Sequence, residues 1–291
     1  VFSNHAQYEG WTVVFAAALY TLQIYADFSG MIDVSRGSAE LFGVRLDANF
    51  ERPFFSHNVG EFWRRWHITL GAWLRDYVFF PASLSQRSVK LRTWSRAHLR
   101  PFFASLLPMA RALLLVWLCN GIWHGAGWKY IAYGLYYFAL TMAGLLFEPF
   151  NASVRDRLHI RRDTRGYRSF QVARTLVLVT LGMMMFRADT LTDFAQMFRS
   201  IFAGAGIAPF VSGDIFTHGF DRHDLAVVAA GAALLVGLGL RQEKGHALRA
   251  ELSQKSISVQ WAVCLGMLFA VIILGAYGPG YQALDPIYGG F

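Results

Sequence analysis

Long apolar stretches alternate with short basic segments along most of the chain. Because about 20 residues cross the hydrocarbon of a bilayer, stretches of this kind predict membrane-spanning helices. Six of them lie at 11–28, 102–123, 128–147, 170–186, 225–240 and 257–277. We therefore predict an all-α, polytopic helical membrane protein with about six spans.

Other segments predict helices that lie in or on the membrane. Residues 31–42, which follow Ser29 and Gly30, predict a short interfacial helix. In 59–80, apolar residues recur every three or four positions, which is typical of one amphipathic helix. Its charged residues make it too polar to face lipid, so we predict an interfacial or re-entrant segment. A third amphipathic helix is predicted at 190–202, capped at Thr190.

Composition and charge agree with a membrane protein. The 291 residues are 55% hydrophobic and only 16% charged, whereas ordinary soluble domains are about 25% charged. The net charge of +8 is concentrated in loops predicted at 83–100, 151–168 and 241–256. We do not expect nucleic-acid binding, since no basic-aromatic binding module is visible.

The basic segments also predict an orientation. Two predicted spans separate each basic segment from the next, so all three fall on one side of the membrane. The positive-inside rule makes that side cytoplasmic and places the C-terminus outside. We expect one integral-membrane domain over 1–291. Because the chain begins at Val1 rather than methionine, we also expect it to lack an N-terminal part of the native protein.

Two histidines lie in unusual neighbourhoods. His124 follows Trp123 where an apolar stretch ends, and an ionisable group there is costly unless it faces protein or a water-filled cavity. Asn120 precedes His124 by four residues, so on a helix its amide could orient the imidazole of a general base. His67 lies on the charged amphipathic segment. From the residues alone, each histidine can equally be a satisfied polar residue at a helix end.

Other chemistry is weakly indicated. Arg64, Arg65 and Arg75 can clamp phosphate or carboxylate, or extend to lipid headgroups. None of the nine histidines has a helical metal-ligand spacing. His218 and His223 lie among Asp214, Asp221 and Asp224, a weak metal signal that we interpret as a solvated loop. No metal site is predicted, and the Gly-x-Ser-x-Gly turn of a serine hydrolase is absent from the sequence.

Several ordered motifs resemble the membrane-bound O-acyltransferase family, and its bacterial branch in particular. They are YADFSG at 25–30, LFG at 41–43, NF at 49–50 with RP at 52–53, EFWRRWH at 61–67, WLRD at 73–76, GIWHG at 121–125, FRA at 186–188, YGPGY at 277–281 and IY at 287–288. The bacterial branch includes alginate O-acetyltransferases and teichoic-acid D-alanyltransferases. The motifs correspond to the C-terminal part of a typical member.

The resemblance implies a helical core with a funnel or tunnel across the bacterial inner membrane. It implies catalytic roles for His124 and His67, and we expect support from Asn120, Trp123, Arg75 and Asp76. The implied reaction is acyl transfer, most simply of acetyl, from a cytoplasmic thioester to a hydroxyl of an exported or cell-surface polysaccharide. No bound cofactor is expected; acetyl-CoA or an acyl carrier protein would be the co-substrate. Expected partners are membrane lipids and, outside, the polysaccharide or an acyl-relay protein.

Further expectations and alternatives accompany this interpretation. Trp123 and Trp128 are expected to exclude water from the site. D-alanyl transfer to teichoic acid from an aminoacyl carrier protein is an alternative of the same class. A transporter or export-channel subunit is an alternative of another class, although the sequence shows no matched broken helices in two halves.

Overall fold

A computed structural model describes residues 1–204, 208–217 and 221–275. The described part consists of helices and connecting segments, with one isolated antiparallel bridge between Phe50 and Trp66. The chain divides into two compact units, Val1–Ile207 and Ala208–Phe291. The predicted helical class is confirmed.

The helices are named in chain order. Unit 1 contains α1 Trp11–Leu41, α2 Val59–Arg65, α3 Ile68–Leu74, α4 Phe80–Leu84, α5 Gln86–His98, α6 Pro101–Trp123, α7 Trp128–Arg157, α8 Arg165–Arg187 and α9 Leu191–Ala203. Unit 2 contains α10 Ala208–Ser212, α11 Arg222–Glu243, α12 Leu248–Ser253 and α13 Ile257–Leu274. Short 3-10 turns occupy Phe2–Gln7, Pro53–Phe55 and Asp214–Thr217, and a π-helical turn occupies Arg75–Phe79.

Six helices in the described ranges are long and apolar enough to cross a membrane, as predicted. They are α1, α6, α7, α8, α11 and α13. The predicted C-terminus and the motifs at 277–281 and 287–288 lie outside the described residues, as does the end of the last predicted span.

Helix α1 is longer than the sequence predicted. Ser29 and Gly30 do not end it, and the separate helix predicted at 31–42 is its C-terminal third. A glycine inside a helix is unfavourable by only about 1 kcal/mol relative to alanine, so a long helix can continue through it. The chain turns at Gly43, whose positive φ of 76° favours glycine.

The amphipathic helix predicted at 59–80 is broken. Helix α2 ends at Arg65, Trp66 is extended, and His67 adopts a left-handed conformation before α3 begins. Asn49 and Glu51 form backbone hydrogen bonds with the residues on either side of this break. The N–H of Ile68 donates to the Asn49 carbonyl at 3.0 Å, and the N–H of Glu51 donates to the Arg65 carbonyl at 2.9 Å. These backbone hydrogen bonds between distant residues replace helix bonds at the break.

The basic segment 83–100 is largely helical rather than a loop. Helix α5 is capped by the Ser85 side chain, which accepts from the N–H of Ser88. Arg111 of α6 donates to the buried Ser88 hydroxyl at 2.6 Å, and Ser95 donates to the Ala104 carbonyl at 2.9 Å. These bonds hold α5 against α6, so the strongly basic segment packs as a helix instead of forming a loop.

Helices α6 and α7 pack closely because two glycines face backbone. A Cβ at Gly121 would overlap the carbonyl oxygen of Tyr130, and one at Gly134 would overlap that of Trp117. Small residues permit such approach between membrane helices. The contact fixes the end of α6 that carries the site.

One hydrophobic cluster of the unit 1 core lies between α1, α8 and α9. It consists of Val13, Ala17, Met184, Ala188 and Met197. Helix α9 begins in a capping box, since Thr190 and Asp193 each accept a backbone hydrogen bond from the other. The amphipathic helix and its Thr190 cap were both predicted from the sequence.

Unit 2 has a different character. Helix α11 begins in a capping box formed by Asp221 and Asp224. Of its apolar window only 6% is buried within the protein, and for α13 the value is 0%. The described part of the chain therefore leaves these apolar surfaces almost wholly uncovered.

Candidate functional site

His124 ends α6 and is followed by a glycine that the turn requires. Its own backbone is still nearly helical, with φ of −76°. Gly125 then adopts φ of 144°, and a Cβ there would overlap the Tyr130 ring. The turn leads directly into α7 and leaves His124 only 8% exposed.

Aromatic rings surround the His124 imidazole. The centroid distances are 4.7 Å to Trp123, 5.0 Å to Phe186, 5.8 Å to Tyr133 and 6.3 Å to Tyr130. The rings come from the end of α6, the first turns of α7 and the end of α8. We call these four residues the aromatic cage. They keep the imidazole in apolar surroundings.

His67 is held by a polar contact and by its backbone. Its φ of 47° and ψ of 56° are unusual for a residue other than glycine. The Nδ1 atom lies 3.0 Å from Oδ1 of Asn49, and Phe28 packs edge-on at 4.8 Å. Asn49 is itself 8% exposed. The ring is therefore fixed on two sides.

The Trp123 ring contacts both histidines. Its ring centroid is 5.7 Å from that of His67 and 4.7 Å from that of His124. The sequence predicted a supporting role for Trp123, and the structure places it in contact with both candidate residues. Trp128, in contrast, is 80% exposed, so the expectation that it shields the site within the chain is wrong.

Both imidazoles are neutral at pH 7. Burial lowers the pKa of His67 to about 4. Burial, followed by the charge that a protonated His67 would carry, lowers the pKa of His124 to about 4. Removing a cation from water is unfavourable, which is why burial favours the uncharged ring. A neutral imidazole retains a nitrogen lone pair that can accept a proton.

A cavity of about 470 Å³ opens beside His67. Its wall is largely apolar and aromatic, with Arg64 and Arg75 as its charged residues. The lining residues are Gly60, Trp63, Arg64, Trp66, His67, Ile68, Leu70, Gly71, Ala72, Leu74, Arg75, Leu113, Val116, Trp117, Asn120 and Thr141. An apolar cavity with a few polar groups is typical of a small-molecule site.

Asn120 lines this cavity and is 4% exposed. Within the described residues its Oδ1 accepts no hydrogen bond. The orienting contact to His124 predicted from their spacing is therefore not made through this oxygen.

Arg75 and Asp76 pair with each other. The guanidinium donates to both carboxylate oxygens, at 2.8 and 3.3 Å. This contact raises the pKa of Arg75 and lowers that of Asp76. Arg75 lines the cavity and shares its wall with His67, whereas Asp76 is not a lining residue. Of these two predicted supporting residues, only Arg75 therefore reaches the cavity wall.

Most of the remaining charge on α2 supports the fold. Arg65 forms an ion pair with Glu61 at 2.7 Å and donates to the Arg52 carbonyl at 3.3 Å. Glu61 also accepts from the backbone N–H of His57 at 2.9 Å. These bonds join α2 to the preceding turn. Arg65 is therefore engaged within the protein, whereas Arg64 faces the cavity.

The sequence did not single out several residues of the site. Asn49 contacts His67 across 18 residues, and Tyr130, Tyr133 and Phe186 complete the aromatic cage. Asn49 and Phe186 do fall within quoted motifs, which was an available signal. The tyrosines belong to a helix rich in aromatic residues, where spacing alone does not distinguish them.

In the described ranges, no three His, Cys, Asp or Glu side chains come together as a metal site. His218 of the loop considered above lies outside those ranges. His223 follows Asp221, whose carboxylate accepts backbone bonds at the start of α11. Asp221 is thus engaged in capping the helix.

Comparison with known proteins gives a family match over most of unit 1. The profile of the membrane-bound O-acyltransferase family matches residues 3–187, which include both histidines. The probable alginate O-acetylase AlgI of Pseudomonas fluorescens is 32% identical over 187 residues, covering 64% of this chain and 32% of the relative.

Two further relatives carry other names. The peptidoglycan O-acetyltransferase of Helicobacter pylori is 40% identical over 116 residues, covering 40% of this chain and 19% of its own. The teichoic acid D-alanyltransferase of Bacillus subtilis is 33% identical over 132 residues, covering 45% of this chain and 31% of the relative. The chain spans about a third or less of the length of the curated relatives it matches.

Proposed function

The chain belongs to the membrane-bound O-acyltransferase family, and from that premise we propose that it forms the catalytic core of a multi-pass membrane O-acyltransferase. It transfers an acetyl group from a cytoplasmic thioester to a hydroxyl of an exported or cell-surface polysaccharide. The observation that carries the proposal is the buried, neutral imidazole of His124, which the aromatic cage holds at the end of a span.

His124 acts as the general base in this reaction. Its ring accepts the proton of the acceptor hydroxyl while the oxygen attacks the thioester carbonyl carbon. The carbon–sulfur bond then breaks, and the proton passes from the imidazolium to the departing thiolate. The apolar cage disfavours water near the base, which limits hydrolysis of the donor. His67, which also contacts Trp123, lines the cavity in which we place the donor.

Acetyl transfer is supported by the names of two relatives, an alginate O-acetylase and a peptidoglycan O-acetyltransferase. The teichoic acid D-alanyltransferase relative supports a second candidate, D-alanyl transfer from an aminoacyl carrier protein. Either donor is a diffusible co-substrate rather than a bound cofactor. An acyl-relay protein on the outer side is an alternative direct acceptor.

We place the protein in the bacterial inner membrane with its basic segments in the cytoplasm. This orientation is supported by the positive-inside rule applied to 83–100, 151–168 and 241–256. It puts the donor on the same side as the basic segments and the acceptor on the side of the 123–128 turn. Membrane lipids then cover the apolar faces of the spans.

Replacing His124 tests the proposal directly. The variant His124→Ala, introduced into the native gene, should reduce acylation of surface polysaccharide by about 10³-fold, because general bases contribute about 10²- to 10⁴-fold. Mass spectrometry of the isolated polysaccharide measures the acyl content. His98→Ala is the matched control, since His98 is an exposed residue bonded to the Trp94 carbonyl. Normal acylation in a membrane-inserted His124→Ala protein would refute the assignment.

The two donors can be distinguished with labelled thioesters. Membranes containing the protein should transfer label from acetyl-CoA or an acetylated carrier protein, and not from a D-alanyl carrier protein. The opposite result would favour the D-alanyl candidate. Movement of glycan or lipid by purified protein with no transfer from either donor would favour a transporter instead.

A further inference from the structure

The hydrogen bonds around Asn49 show which atom of its side-chain amide, oxygen or nitrogen, faces His67. Three donors converge on that atom: the backbone N–H of Thr69 at 3.2 Å, the Thr69 hydroxyl at 2.7 Å and Nδ1 of His67 at 3.0 Å. A backbone N–H can only donate. The atom facing it is therefore the amide oxygen, and the assignment does not depend on which way the amide was placed.

This identification fixes the proton on His67. Since the amide oxygen can only accept, the ring nitrogen 3.0 Å from it must carry hydrogen. The neutral ring has a single N–H, so the other nitrogen, Nε2, has a lone pair. Within the described part of the chain, the His67 ring makes no hydrogen bond other than the one from Nδ1.

We propose that Asn49 is a positioning residue, which holds His67 in the Nδ1–H tautomer so that Nε2 is presented to the donor cavity as an acceptor. An acceptor there can bind an N–H or O–H group of the bound donor. The other tautomer would present a donor there instead. The proposal rests on the proposed function only for what the bound molecule is; the tautomer itself is independent of it.

The surroundings of Asn49 stabilise its hydrogen bond with the His67 ring. Its backbone carbonyl accepts from Ile68 at 3.0 Å, so the same residue holds both the main chain and the ring of the His67 turn. The buried position of Asn49 removes competing water. A hydrogen-bonded partner that fixes a histidine tautomer is a recurrent feature of functional histidines.

The tautomer can be observed by ¹⁵N NMR of histidine-labelled protein in nanodiscs at pH 7. The His67 signals are identified as those lost in His67→Gln. We expect a protonated Nδ1 and an unprotonated Nε2 in the wild type. A wild-type spectrum with protonated Nε2 would overturn the proposal, whatever the activity.

Three variants then test the role of Asn49. Asn49→Asp keeps an oxygen acceptor in place and should retain the tautomer. Thr69→Val, the matched control, removes a different donor from the same oxygen and should also retain it. Asn49→Leu should shift the population towards the Nε2–H form and reduce kcat by about 10- to 100-fold, as loss of such partners does for metal-bound histidines. An unchanged tautomer and kcat in Asn49→Leu would contradict the proposal.

A double-mutant cycle separates positioning from stability. In the His67→Gln background, Asn49→Leu should reduce kcat by less than about twofold, because its partner is already absent. If Asn49→Leu reduces kcat by the same factor in this background as in the wild type, its role is structural and the proposal is overturned. If Asn49→Leu does not fold, the wild-type and Asn49→Asp spectra still decide the question. If no protein transfers an acyl group, the proposed function fails while the NMR result stands.

Discussion

The two histidine regions achieve the same charge state by different means. At His124, four aromatic rings surround an imidazole that continues the end of a helix. At His67, the helix is interrupted, the backbone is left-handed, and an amide oxygen bonds to the ring. In both, burial keeps the ring neutral.

The difference shows which property of an imidazole each environment controls. Rings exclude water and hold the plane of an imidazole, which is what a base that gains and loses a proton needs. An amide oxygen also selects which nitrogen carries the proton. We therefore assign proton transfer to His124 and a fixed hydrogen-bonding role to His67.

The largest expected effect contrasts the two histidines. His124→Gln should reduce kcat by about 10³-fold, because it removes the base, and His67→Gln by about 10- to 100-fold, because it removes a positioned acceptor. Steady-state kinetics with a labelled thioester measures both. Equal losses, with no further loss in the double variant, would mean that the two residues act as a unit.

A smaller effect should come from the α6–α7 contact. Gly134→Ala places a methyl group against the Trp117 carbonyl and should lower stability by about 1–3 kcal/mol. Gly144→Ala in the same helix is the matched control, because its Cβ would meet no atom of the described residues within 4 Å. Thermal unfolding in detergent compares the two.

The same variants test whether the two regions are separable. In Gly134→Ala, the NMR signals of His124 should shift because α6 moves, while the His67 tautomer should remain. Equal destabilisation by Gly134→Ala and Gly144→Ala would mean that the close approach of the helices is unimportant.

The smallest effect concerns pH. A base must be neutral to accept a proton, so kcat/KM should stay level from about pH 8 down to 5.5 and fall as pH decreases through about 4. Asn49→Asp places a carboxylate beside His67 and should raise its pKa by about one unit or more.

Because we assign the base to His124, the pH at which kcat/KM falls should change by less than about half a pH unit in Asn49→Asp. Histidine NMR titration confirms that the pKa of His67 has risen in the variant. If the fall of kcat/KM at acid pH instead follows the raised pKa of His67, then His67 and not His124 is the base.

The spans were predictable because each depends on local composition. A run of about 20 apolar residues is sufficient to indicate a helix, and all six were found where the sequence placed them. The Thr190 cap was equally local. Ser29 and Gly30 were misleading, since no local rule distinguishes a tolerated glycine from one that ends a helix.

The break at His67 was not predictable from periodicity. The apolar spacing continues through Trp66 to Leu70 without a proline or glycine at the break, so one helix was the simplest interpretation. The break depends on bonds to Asn49 and Glu51, which the sequence does not pair. The aromatic cage likewise joins three helices, and its members are brought together only by tertiary packing.

The backbone of His67 has a consequence for how this position responds to selection. A left-handed conformation costs a non-glycine residue about 1–2 kcal/mol, and glycine would remove that cost. Glycine would also delete a ring that packs against Phe28 and Trp123 and that donates to the Asn49 oxygen, and that loss outweighs the relief of the backbone. Variants chosen for thermal tolerance alone should therefore not accumulate glycine at position 67, so the unfavourable backbone persists because the side chain compensates for it.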